Sequence, residues 1–350
     1  FPPGFVSLLA APSSAALYAL SQERSDLSQS LDRGRTWTPV APRGVLQFVA
    51  RGFAWHPLQP RVQALVRGEL PAFGEIDELL TTTDGGATWR SAPFKAFAFD
   101  PADPGLLYGG GDAGVSVTRD GGATWTGLRS EPATTLAHSG RALFAGGCGI
   151  ARSADDGAHW TETLSCQAPP SPHVPGGGLL LATRLVAHPT DPDVVWAEMF
   201  ESFTLNGHPE GHGALYGSFD GGVTWERREG FGARVALAPG RPDTVWDVSG
   251  GVPRRSDDRG LTWTMIYAGG ELHDLAVDPQ DADRIYAVGE HVALESRDNG
   301  ATWAPAFNMQ ELAPWGANRQ ILTRVFPHPL LPGRIAVAPI LGLLLRRAPV

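Results

Sequence analysis

Short apolar runs recur along the chain, alternating or wholly apolar, and clusters rich in Gly, Pro and Asp separate them. Runs of this length between turn residues predict strands rather than helices. One arrangement repeats: an apolar strand, a Pro-containing turn and a second apolar strand. It is seen in AFAFDPADPGLLYGG (96–110), LVAHPTDPDVVWAEM (185–199), VALAPGRPDTVWDVS (235–249) and LAVDPQDADRIYAVG (275–289). A third strand follows, such as GVSVTRD (114–120) or GALYGSFD (213–220), then a Gly- and Asp-rich turn and a fourth strand such as TWERR (224–228). Four antiparallel strands per repeat, A to D, are predicted.

The turn between C and D is written seven times: SLDRGRTW (30–37), TTDGGATW (82–89), TRDGGATW (118–125), SADDGAHW (153–160), SFDGGVTW (218–225), SDDRGLTW (256–263) and SRDNGATW (296–303). The pattern is Ser/Thr-x-Asp-x-Gly-x-Thr-Trp, with His159 at the Thr place of the fourth copy. Gly supplies a positive φ, and Asp folds its carboxylate onto nearby backbone N–H groups. The Ser/Thr hydroxyl does the same more weakly. The Trp is expected to cover the turn and pack on the neighbouring repeat. The structural pairs are Asp32 and Trp37, Asp84 and Trp89, Asp120 and Trp125, Asp155 and Trp160, Asp220 and Trp225, Asp258 and Trp263, and Asp298 and Trp303. Calcium wants six to eight oxygens, and one carboxylate with one hydroxyl per copy falls far short. These turns read as structure.

The motif resembles the Asp-box, or bacterial neuraminidase (BNR), repeat of sialidases, sortilin-type receptors, xyloglucan hydrolases and photosystem II assembly factors. The resemblance covers nearly the whole chain and implies an all-β fold, a single β-propeller of four-stranded antiparallel blades. It implies no single activity, because such relatives include enzymes, receptors and assembly factors.

Successive Trp residues of the motif lie 52, 36, 35, 65, 38 and 40 residues apart, so the compact unit is about 35–40 residues. The last segment, VFPHPLLPGRIAVAPILGLLLRRA (325–348), carries strands A to C without the motif. The first unit already has its own A and B strands in residues 6–21. Eight A–B units stand against seven motif hairpins. Eight blades are favoured; the alternative is seven, with the C-terminal strands folded into the first blade. The expected domain is 1–350, with units near 5–40, 44–92, 93–127, 132–166, 177–228, 232–268, 272–308 and 320–350. The residue before Pro in the A–B turn is often His or Asp: His56, Asp100, His188, Asp278, His328. Blades are expected to hold these far apart, so turn hydrogen bonding is preferred to a shared metal ion.

A net charge of −9 argues against a nucleic-acid partner, and no apolar run is long enough for a spanning helix. The chain starts at Phe1 with neither methionine nor a signal-like stretch, as a processed or trimmed chain does, which leaves the compartment to the cysteines; an exported chain is expected to have lost its signal peptide. Cys148 and Cys166 flank the fourth motif, in a hairpin where positions summing to about 314 face each other. A cross-strand disulfide is predicted, with two buried free thiols as the alternative. A disulfide points to an oxidising, extracytoplasmic compartment: secreted, periplasmic or at the cell surface.

In a propeller the A–B and C–D turns share one rim, and the B–C and D–A connections share the other. The irregular insertions, 69–78, 167–178, 201–212 and 308–320, all map to the second rim, where long loops on a rigid scaffold carry binding. Phe73, His173, His208, Glu210, His212, Trp315, Asn318 and Arg319 are the candidate binding residues. His208, Glu210 and His212 form a His-x-Glu-x-His cluster with metal-ligating side chains, though zinc would need a further ligand and an ordered loop. Glu75, Asp77 and Glu78 are the carboxylates available for acid–base work. Trp315 beside Asn318 and Arg319 suits a sugar or a protein partner.

A sialidase would carry an Arg triad, a Tyr nucleophile with a Glu partner, and a Phe/Tyr-Arg-Ile-Pro signature that this sequence lacks. Tyr18, Tyr108, Tyr216 and Tyr286 occupy repeated strand slots, leaving Tyr267. A xyloglucan hydrolase would need two propellers facing across a cleft. The sequence therefore reads as a non-catalytic scaffold that binds a protein or an extracellular glycan, as a peripheral subunit of a larger assembly, without a cofactor. The competing reading is a glycoside hydrolase using the loop carboxylates.

Overall fold

The computed structural model describes, with side chains, residues 61–66, 77–85, 87–167, 177–204, 208, 210–228, 234–290 and 292–306, together with Thr36, Thr38, Ala54, His56, Leu58, Gln59 and Val325; further strands are described by their backbone. The fold is all-β, with no helix among the described residues. The strands fall into eight antiparallel sheets that follow one another in chain order, each built from strands adjacent in sequence. The third is typical: Ala96–Phe99, Leu107–Gly111, Gly114–Thr118 and Thr126–Arg129, side by side. The eighth has three strands, Leu322–Pro327, Ile335–Pro339 and Leu344–Leu345. The first strand of the chain, Phe5–Ala10, lies beside the first two of these.

Consecutive sheets pack face to face, and the core is a series of layers between them. Tyr108 and Val115 of the third sheet meet Leu136 and Leu143 of the fourth. Phe144 and Ile150 meet Leu180, Val195 and Met199 of the fifth. Trp196 and Leu215 meet Val235 and Val245, and Trp246 meets Leu275 and Ile285. Fully burying one such side chain is worth roughly 1.5–3 kcal/mol, so the third to sixth sheets each depend on both neighbours.

The repeated turn explains its own composition. In the second copy Asp84 Oδ1 accepts from Thr82 Oγ1 at 2.7 Å and Thr88 N at 2.9 Å, while Oδ2 accepts from Thr88 Oγ1 at 2.6 Å. The copies at Asp120, Asp220, Asp258 and Asp298 repeat the set. In the fourth copy His159 substitutes for Thr without loss, its N–H and Nδ1 lying 2.8 and 2.6 Å from the Asp155 carboxylate. The hydroxyl of Ser153 also accepts from Gly157 N at 2.8 Å. The motif Gly has a second duty besides its φ of +81° at Gly222 or +77° at Gly260: a Cβ there would strike Phe144 or Trp196 of the preceding sheet. The motif Trp lies on the preceding sheet too. Trp225 donates to Thr163 Oγ1 at 3.0 Å and meets the Phe144 ring edge-on, and Trp303 donates to Ile266 O at 2.6 Å. Asp32 and Trp37 of the first copy lie outside the described residues.

Cys148 and Cys166 form a disulfide with Cα atoms 4.6 Å apart. A bulge between Ile150 and Ala151 sets the register Ile150↔Leu164, which brings the two cysteines opposite each other. The backbone at the bridge joins the fifth sheet, through Leu180 N→Cys166 O at 2.7 Å and an isolated pairing of Cys148 with Leu181. Gln167–Ala168 then adds a fifth strand to that sheet, where the sequence predicted a loop.

The expectation that the A–B turn residues stand far apart is corrected: those of neighbouring sheets touch. His56 Nε2 lies 2.6 Å from Asp100 O, and His188 Nε2 lies 2.9 Å from Ala238 O. Each acceptor holds the donor's own slot in the next repeat. The slots approach because the A strands converge there. They also cap their turns: Asp100 Oδ1 accepts from Ala102 N and Asp103 N, and Asp278 Oδ1 accepts from Gln280 N.

Candidate functional site

The insertion 201–212 is not a loop. Val195–Leu205 and His208–Ser218 are eleven-residue strands paired throughout, Val195↔Ser218 at one end and Leu205↔His208 at the other. Phe203 and Leu205 continue the alternation, and pairing satisfies backbone groups that a loop would leave to water. Directly paired residues share a face, so Glu201, Phe203, His208, Glu210 and His212 line one side of this hairpin.

Four side chains converge there. Glu201, only 3% exposed, accepts from Arg227 Nη2 at 3.1 Å and Tyr216 Oη at 3.3 Å, and lies 2.7 Å from His212 Nε2. The Phe203 ring meets His212 edge-on at 5.6 Å. Burial, then the charge of Glu201, pushes the Tyr216 phenol up to about 12. It is a protonated hydrogen-bond donor at neutral pH. The group is an ion-pair network that clasps the hairpin, with Glu201 buried at its centre and Arg227 reaching it from the surface.

On the opposite side of the same strands lie Leu181 and Phe200, directly paired and 37% and 40% exposed, with Leu179, 47% exposed, two residues along. The Phe200 ring covers Gly211, where a Cβ would collide with it. Towards the sixth sheet, buried Glu198 accepts from Arg184 Nη1 at 2.8 Å and Val235 N at 3.0 Å. Asp247 holds Arg254 through two bonds of 3.0 and 2.5 Å. Asp274 accepts from Val325 N of the eighth sheet at 3.0 Å; burial pushes its carboxyl up to about 6 against that bond and nearby Arg234.

The structure separates the predicted candidates. His208 is exposed and His212 is committed to Glu201, so His208, Glu210 and His212 share a strand face but do not converge to metal-ligand distance. Asp77 and Glu78 open the strand Asp77–Thr82 instead of lying in an exposed loop. Asp77 is buried 3.9 Å from Lys95 Nζ, and Glu78 pairs across from Arg67. The strand Gln63–Glu69 needs a partner for its full length, which draws them in. Phe73, Glu75, His173, Trp315, Asn318 and Arg319 lie outside the described residues, as does His328. Glu198, Asp247 and Asp274 were missed as site residues. Their signal was a carboxylate inside an apolar strand, in VVWAEM, VWDVS and ELHDLAVD.

Among solved structures the chain is similar to YCF48 bound to D1 peptide, with a TM-score of 0.54 and 16% identity over 99% of this chain and 92% of that one. It is similar to the extracellular domain of BT4673 from B. thetaiotaomicron, with a TM-score of 0.52 and 10% identity over 99% of this chain and 38% of the other. The GH74 xyloglucanase from Xanthomonas campestris aligns with 96% of the chain at 18% identity and a TM-score of 0.38, and the chain spans 60% of the xyloglucanase's length. No protein-family model matches the sequence, and no curated protein matches it. At such identities the likeness is one of fold. The chain is a β-propeller.

Proposed function

We propose that the chain is a non-catalytic, extracytoplasmic propeller, one domain over 1–350 with its eight sheets as eight blades, and that it docks a protein partner on the rim carrying the hairpin of the fifth sheet. The observation that carries this reading is the apolar set Leu179, Leu181 and Phe200, exposed on a rigid hairpin. Apolar groups held open on a stiff element favour recognition of a partner. The buried acidic groups Glu201 and Asp77 are engaged in ion pairs. A protein partner also accords with the peptide held by the YCF48 structure. The disulfide supports an oxidising compartment, and no helix among the described residues is long and apolar enough to cross a membrane.

The test is in-situ cross-linking and co-purification from the native source, comparing the natural chain with a Leu181→Ser/Phe200→Ser double variant. A partner recovered with the first and lost with the second is expected. Turnover of a fluorogenic glycoside panel, abolished by Asp77→Asn or Glu201→Gln, would overturn the reading in favour of a glycoside hydrolase.

A further inference from the structure

The opposite rim, which the sequence marked as purely structural, holds a second cluster. Asp100 directly follows the A strand of the third sheet, His138 fills the same slot in the fourth, and Asp156 sits in the fourth copy of the repeated turn. One ligand atom from each lies within 4.8 Å of the other two. His138 Nε2 and Asp100 Oδ2 are 3.8 Å apart, too far for a hydrogen bond, although their side chains are only 4% and 15% exposed. His56 and His188 reach forward to the next sheet's carbonyl, whereas His138 faces back towards Asp100.

Tyr108 points to the same place independently. It is fully buried, its ring stacks on His138 at 5.8 Å, and its hydroxyl has no hydrogen-bond partner among the described residues. In the seventh sheet the equivalent Tyr286 donates to Asp278 Oδ2 at 3.5 Å. In the third sheet the corresponding carboxylate is Asp100. A buried hydroxyl without a partner is unfavourable, and a hydrated ion among these groups removes the deficit.

We propose that Asp100, His138 and Asp156 bind one divalent transition-metal cation, with Tyr108 donating to a metal-bound water or to a ligating carboxylate. Two carboxylates and one imidazole suit zinc or manganese, and are too few oxygens for calcium. The role is structural: the ion ties the third sheet to the fourth. Filling the site moves the imidazole proton from Nε2 to Nδ1 and releases the exposed bond from Gly140 N to Nδ1, whose amide then turns to water.

The test is calorimetric titration of the untagged chain with zinc, with cobalt absorption as a second readout. The decisive variant is Asp156→Gly. Gly85, Gly121 and Gly221 hold that slot in other copies with φ of +79°, +68° and +74°, and Asp156 itself has φ +56°, so the variant folds and loses only the carboxylate. One zinc per chain is expected, with affinity lowered roughly 100-fold by Asp156→Gly and by His138→Gln, and unchanged in His208→Ala/His212→Ala. Absence of zinc binding in the natural chain would overturn the proposal. So would binding that survives Asp156→Gly and His138→Gln, or that is lost only in the His208/His212 variant.

Discussion

His188 holds the carbonyl of Ala238, the residue that fills its own slot one repeat later, at 2.9 Å. Its Nδ1 accepts from Thr190 N and Asp191 N at 3.3 and 3.0 Å. The ring is therefore the neutral Nε2–H tautomer, capping its own turn and clamping the next sheet. His188→Ala is expected to cost about 1–3 kcal/mol by stranding the buried carbonyl, read from urea unfolding at neutral pH. Burial holds the His188 pKa below its ordinary 6.5. The clamp's stability is thus complete above about pH 6.5 and declines as pH falls below it. A natural chain whose urea midpoint falls no more between pH 7.5 and 5.5 than that of His188→Ala would refute the clamp.

The turn aspartates set a second, more acidic window. Hydrogen bonds from Thr262 and Ser256 hold Asp258 at about 2, and those from His159 and Ser153 hold Asp155 at about 2, against an ordinary 3.8. Depressed values mean that the stabilisation is full above pH 3.8 and lost as pH drops towards 2. Asp258→Ala should lower the melting temperature at neutral pH, and the difference from the natural chain should shrink across that window. Calorimetry at pH 6, 4 and 2.5 checks both.

Removing the disulfide by Cys148→Ser/Cys166→Ser closes off a constraint on an 18-residue separation. Roughly 3 kcal/mol of unfolding free energy should be lost. Because Leu180 and Leu181 pair with the backbone at the bridge, amide exchange should quicken first there. Uniform quickening throughout the chain would refute that local coupling.

Glu201→Ala leaves Arg227, His212 and Tyr216 facing a cavity where the carboxylate stood. A loss of about 1–3 kcal/mol is expected, chiefly from stranding the buried Tyr216 hydroxyl, with faster exchange along Val195–Leu205 and His208–Ser218 and unchanged protection in the third sheet. Near-neutral stability would show that the network does not hold the hairpin.

The strands, the repeat and the role of each turn residue were legible in the sequence because they are local. A turn aspartate meets partners two and four positions away, and the cysteine pairing followed from hairpin symmetry. The 201–212 hairpin was misread because its His, Pro and Gly residues mimic a loop, while the pairing that makes it a sheet runs between two stretches individually weak as strands.

By itself the sequence determined an all-β chain of tandem antiparallel units whose last hairpins close through tryptophan-covered turns, since period-2 alternation and Asp-Gly chemistry act over a few residues. Only the tertiary structure decided which side chains of different units meet: Asp77 with Lys95, Asp100 with His138. Those contacts depend on how neighbouring sheets rotate and converge when their apolar faces close on each other, a geometry set by packing of whole layers.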